Sequence, residues 1–170
     1  MNFVTYGGVT VGLMILGYDL VKWWPGRKQL MKDPLKHLSR LAPFLASWAY
    51  GCLITLGVGG LVGWVSSTAL GISNWLGDAA LVWGVGGTSG QLAAATYRPL
   101  SGPGLGVTLI ATAVFIAAVK KASDEQSAVM KRGALCGINL GTSAGVAGFA
   151  AVPLATAANW LGDNSYGRIG

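Results

Sequence analysis

Charge is what this chain has least of. Asp, Glu, Lys and Arg make up 11% of its 170 residues, against about a quarter in a soluble globular domain. Histidine occurs once, as His37. The apolar runs hold no cluster of His, Cys and carboxylates of the kind a metal site needs. There is no P-loop and no dinucleotide fingerprint. Cys52 and Cys136 stand alone in apolar surroundings without CxxC spacing, so both are expected as small core residues. No cofactor, no metal and no catalytic residue is expected.

The charge is missing in blocks. Residues 41–77, 79–97, 99–119 and 133–162 contain no Asp, Glu, Lys, Arg or His. Ten of the twelve Lys and Arg residues fall into two clusters: Lys22, Arg27, Lys28, Lys32, Lys36 and Arg40, then Lys120, Lys121, Lys131 and Arg132. An ionised group at the centre of a bilayer costs several kcal/mol, and cytoplasmic loops concentrate Lys and Arg. The pattern predicts an all-α integral membrane protein, and by length a single membrane domain over 1–170. About five apolar helices are expected, making four or five crossings. In that setting the net charge of +6 points to anionic headgroups rather than nucleic acid.

The first span is expected over Phe3–Val21 as a retained segment, since Trp23, Trp24 and Pro25 follow it where a cleavage site would need small residues. Asp19 is expected to pair with Lys22 one turn on. Trp23 and Trp24 beside Lys22 suit the headgroup level. Residues 27–40 set Leu30, Met31, Leu35 and Leu38 among basic residues, the spacing of a short interfacial helix bent at Pro34. Arg27, Lys28, Lys32, Lys36 and Arg40 are its headgroup ligands. A second span begins at Leu41 and stays apolar to Leu70, longer than the ~20 residues a crossing needs. Gly77 should stop that helix and Asp78 cap the next one. The run 79–97 is broken by Gly86, Gly87, Thr88, Ser89, Gly90 and Gln91. A fourth run spans Leu105–Val119. Ser123-Asp124-Glu125-Gln126 is a capping box, from which a helix should continue unbroken into a fifth span over 133–161, kinked at Pro153.

Asn74-Trp75-Leu76-Gly77-Asp78 recurs as Asn159-Trp160-Leu161-Gly162-Asp163, displaced by 85 residues. The order of apolar span, basic loop and Gly-rich span precedes both copies. This predicts an internal repeat of helical hairpins over 1–78 and 99–163, joined by 79–98. The repeat raises a question of parity. If both basic loops are cytoplasmic, the run 79–97 is re-entrant and the hairpins are parallel repeats. If all five runs cross, Lys120 to Arg132 lie outside. Hydropathy slightly favours five crossings.

Small residues recur every four positions, a GxxxG pattern that brings helix backbones together in lipid. Gly51, Gly59 and Gly63 form one such face and Gly137, Gly141 and Gly145 another, serving packing within the chain or between copies. Gly141-Thr142-Ser143-Ala144-Gly145 has the letters of a nucleophile elbow, and Gly87-Thr88-Ser89-Gly90 resembles the serine motif of rhomboid intramembrane proteases. Neither has a His base in an apolar run, and a serine without a base is a poor nucleophile.

A non-enzymatic, self-associating multi-pass protein results, in a bacterial inner or plasma membrane with the 22–40 loop cytoplasmic. Its size and charge layout suit a holin-like pore, lined by Thr88, Ser89, Gln91, Asn139 and Thr142. The alternatives are an anchor or scaffold subunit of a secretion, conjugation or phage-encoded assembly, and a small repeat-built transporter, which would need an ionisable midplane site.

Overall fold

The computed structural model describes residues 3–25, 27–57, 59–92, 100–143 and 148–166. Most of them are helical, and no strand occurs among them. The helices are α1 (Tyr6–Trp23), α2 (Arg27–Lys32), α3 (Pro34–Thr55), α4 (Gly60–Ala79), α5 (Gly102–Lys121), α6 (Asp124–Gly141) and α7 (Gly148–Tyr166).

The helix starts follow local chemistry. Thr5 caps α1, its hydroxyl accepting from the Gly8 amide at 3.1 Å, and Ser101 caps α5 by accepting from Gly104 at 3.2 Å. The Ser123 hydroxyl accepts from Gln126 at the head of α6. Pro34 starts α3 rather than bending a surface helix, because a proline in the first turn has no amide to lose. The basic segment therefore divides at Asp33, and Lys36 and Arg40 ride on the same helix as Phe44 and Cys52.

Two expected continuities fail. The 41–70 run breaks after Thr55, and the chain turns by 107° into α4. Gly59 is extended there, and Gly60 sits at φ +69°, a left-handed value that favours glycine. The helix begun at Ser123 ends at Gly141, and α7 begins separately at Gly148. Nor do the described residues of the 79–97 run make a helix across it. After α4 come a single π-turn at Ala80–Gly84, a second left-handed glycine at Gly86, and an antiparallel bridge from Gln91 to Thr5. Glycines at 86, 87 and 90 leave that stretch little helix propensity.

α3 and α6 form the centre and run parallel. Gly133 meets Phe44 and Ser47, Gly137 meets Trp48, Gly51 and Cys52, and Gly141 meets Cys52, so both chains advance together. α1 runs antiparallel to α6, from Gly12 against Leu140 to Asp19 against Arg132. α5 runs antiparallel to α3: the Tyr50 ring stacks on Phe115 at 4.3 Å, while Leu100, just before α5, packs against the cluster of Leu56, Ala151 and Ala155. The N-termini of α1 and α5 thus share one end of the bundle. The end of α4, through Asp78, and Ser101 both lie at that end.

Among the described residues, only α5 is by itself long and apolar enough to cross a membrane, with 11% of that window buried. Pro34–Thr55 and Gly60–Gly84 pass only together, as a bent pair. Of the about five apolar helices expected, the described residues thus hold one that qualifies alone, or two if the bent pair counts as one span. α1 carries Asp19 and Lys22, and α3 and α6 begin well inside the basic clusters, so their charged first turns dilute the apolar content.

Candidate functional site

The repeated pentamer builds two helix clasps. In α4, Asn74 and Asp78 are four residues apart and share a face. The Asn74 Oδ1 accepts from the Thr5 amide at 3.1 Å, and its Nδ2 donates to the Phe3 carbonyl at 3.0 Å. Asp78 Oδ1 accepts from the Gly7 amide at 3.1 Å. A carboxylate and an amide oxygen therefore sit at the positive end of α1, where four amides lack intrahelical partners. α7 does the same for α5. Asn159 Oδ1 accepts from the Ser101 amide at 2.8 Å, and the Ser101 hydroxyl donates to Asp163 at 3.1 Å.

The glycine of each pentamer makes the clasp fit. A side chain on Gly77 would collide with the Gly7 backbone, and one on Gly162 with the backbone of Pro103 and Gly104. Gly77 and Asp78 therefore do not stop a helix and cap the next, as local spacing suggests; both lie inside α4 and serve α1. The sequence showed the pentamer. It did not show that its Asn and Asp reach a helix some seventy residues upstream.

The opposite end of the bundle holds the charges. Arg132 grips Asp19 in a two-pronged ion pair, Nε to Oδ2 and Nη2 to Oδ1, both at 2.8 Å. The Tyr18 ring stands 5.3 Å from the Arg132 guanidinium carbon. Asp19 is buried, so this pair replaces the expected Asp19–Lys22 contact. Lys22 instead meets Glu125 at 3.3 Å on the surface. The reason is geometric: antiparallel packing of α1 on α6 brings Asp19 and Lys22 to different turns of α6. Lys28, Lys32, Lys36, Arg40, Lys120, Lys121 and Lys131 are all exposed, and nothing is described of the Arg27 side chain. Because α3 and α6 are parallel, both basic clusters lie at this one end. The Trp23 indole donates to the His37 carbonyl at 2.7 Å, tying α1 to α3, and Trp24 is exposed beside it.

The glycines expected to pack fall into three groups. Gly51, Gly137 and Gly141 hold α3 against α6, and Gly63 is buried on α4. Gly59 has open space around it and marks the break instead. Gly145 lies outside the described residues. The candidate pore residues are not brought together. Thr88, Ser89 and Gln91 are exposed in the non-helical stretch, whereas Asn139 on α6 and Thr142 just past its end are buried, at 0% and 2% exposure. Asn139 Nδ2 donates to Ser73 Oγ and to the Leu135 carbonyl. Ser143 is buried at the end of α6 and donates to the Leu140 carbonyl, far along the bundle from His37. No group of three or more metal-ligating side chains occurs among the described residues.

The chain matches no protein-family model, no curated protein and no solved structure.

Proposed function

We propose that this chain is a small multi-pass membrane protein with four crossings, α1, α3, α5 and α6, acting as an anchor or scaffold whose basic end faces the cytoplasm. The observation that carries the reading is the polarity of the fold, which is reversed relative to a water-soluble bundle. On the proposed crossings, Met14 of α1 and Leu109 and Val114 of α5 are 64%, 65% and 61% exposed, while Ser47, Asn139 and Thr142 are at most 2% exposed. In lipid that arrangement is favourable, because outward apolar groups meet acyl chains and small polar groups hold helices together. In water it would expose large apolar side chains on the outer faces of these helices, a liability for a monomer.

With α1 and α5 descending and α3 and α6 ascending, both basic clusters lie on one side and the N-terminus on the other. This is the parallel-repeat solution of the parity question, with the described residues 80–92 on the side of the N-terminus. The two clasps and the like placement of α1–α4 and α5–α7 support two tandem copies of one hairpin plan. A non-catalytic scaffold then presents its basic end to anionic lipid or to an acidic partner. Fractionation tests the first step: the protein should stay in the membrane pellet through alkaline carbonate, and release without detergent would refute it.

A second reading, a pore made by self-association, draws on the exposed Thr88, Ser89 and Gln91. Among the described residues α3 packs closely on α6 at the centre, so in this reading the pore forms between copies. Induced expression should then depolarise cells, which a scaffold does not do. The transporter reading has least support, since the buried ion pair is neutralised and lies towards the basic end.

A further inference from the structure

We propose that the basic end contains a binding site for one anionic phospholipid, with its phosphate held by Arg40 in a cleft between α1, α3 and α6; this rests on the membrane reading above. A cleft of about 180 Å³ opens between α1, α3 and α6. Its charged lining is Lys22, Arg40, Glu125 and the already paired Asp19, and its apolar lining is Leu41, Phe44 and Val129. A second cleft of about 450 Å³ lies against it, sharing Arg40, Glu125 and Val129 and adding Ser39, Pro43 and Gln126. Arg40 and Glu125 therefore line both. The larger cleft alone falls within the range of a small-molecule site, about 300–1,000 Å³.

Charge accounting assigns the sign of the ligand. Asp19 is neutralised by Arg132 and Glu125 by Lys22. Arg40 makes no ion pair or side-chain hydrogen bond among the described residues, so the cleft keeps one uncompensated positive charge. A guanidinium offers a planar fork of donors that suits a phosphate. The indole N–H of Trp23 is already spent on His37, so its ring serves as wall. Glu125 lies beside the phosphate position, and its pairing with Lys22 is what makes that tolerable. The apolar residues Leu41, Phe44 and Val129 complement a glycerol backbone and the first methylenes of an acyl chain. A soluble anion has no use for them. That amphipathic character favours a lipid over free phosphate.

The test uses the full chain purified in neutral detergent, at about 0.15 M salt to screen diffuse attraction. Native mass spectrometry reads retained phosphatidylglycerol against phosphatidylcholine. The expected result is one retained phosphatidylglycerol, weakened about tenfold or more by Arg40→Gln, as for loss of a charge-assisted hydrogen bond. Lys32→Gln removes the same charge from α2 outside the cleft and should change retention less than about threefold. Leu41→Asn should weaken it too. Equal losses from Arg40→Gln and Lys32→Gln, or no preference between the lipids, would overturn the site. Displacement by millimolar inorganic phosphate would also overturn it, in favour of a soluble anion. Carbonate extraction separates the two failures: a chain that leaves the membrane sinks the membrane reading, whereas one that stays without selecting phosphatidylglycerol sinks only the cleft.

Discussion

The thiol of Cys52 donates to the carbonyl oxygen of Gly137 at 3.4 Å, and these residues are separated by the same 85 positions as Asn74 and Asn159. A residue and its counterpart meet only on the axis that relates two copies of a plan. The contact thus places a proposed two-fold axis along the parallel pair α3 and α6. A side chain on Gly137 would strike the backbone of Trp48 and Cys52, and one on Gly51 the backbone of Ala134. Gly137→Leu and Gly51→Leu should therefore cost on the order of 3 kcal/mol or more, beyond ordinary overpacking because backbone cannot step aside. Gly59→Leu should be nearly neutral, since Gly59 is extended with open space around it. Thermal aggregation in detergent reads all three, and equal losses would contradict the packing described.

The clasps predict paired phenotypes. Asn74→Leu strands the Thr5 amide and the Phe3 carbonyl, and Asn159→Leu removes the acceptor of the Ser101 amide. Each should destabilise by about 1–3 kcal/mol, the cost of an unsatisfied buried polar group. Denaturation of each variant in detergent should show both. An effect confined to one would argue against two equivalent clasps.

The buried ion pair predicts an asymmetry between two carboxylates. Asp19→Asn leaves Arg132 partly buried beside a neutral amide and should cost about 3–5 kcal/mol. Glu125→Gln breaks an exposed contact and should cost less than about 1 kcal/mol. Asp19→Leu with Arg132→Leu should recover much of the loss, because no unpaired charge remains. Comparable effects from Asp19→Asn and Glu125→Gln, measured by thermal denaturation, would mean that the pair does not carry the packing of α1 on α6.

What the sequence made legible was whatever depends on near neighbours. The Ser123 cap, the Trp23-Lys22 helix end and the exposed basic residues follow from spacing alone. The break after Thr55 was signalled by Gly57, Gly59 and Gly60, but the same glycines also fit a packing stripe, and only the bend separates those uses. Asp19 was assigned to Lys22 because sequence distance favours one turn, whereas its real partner stands 113 residues away on α6. The pentamer was visible and its job was not, since helix capping across the fold has no local trace. The run 79–97 looked long enough to cross. Its glycines, Thr88, Ser89 and Gln91 mark instead a stretch that is not helical from Gly86 to Leu92 and pairs Gln91 with Thr5.

The four-crossing arrangement with both basic clusters on one side is the central claim, and cysteine accessibility tests it most directly. Cys52 and Cys136 are buried and give little background. Lys36→Cys, Lys121→Cys and Thr88→Cys are each placed at an exposed position. With an impermeant thiol reagent on intact cells, the account predicts labelling of Thr88→Cys alone, and of the other two only after permeabilisation. Labelling of Lys121→Cys but not Lys36→Cys in intact cells would contradict it and restore a fifth crossing.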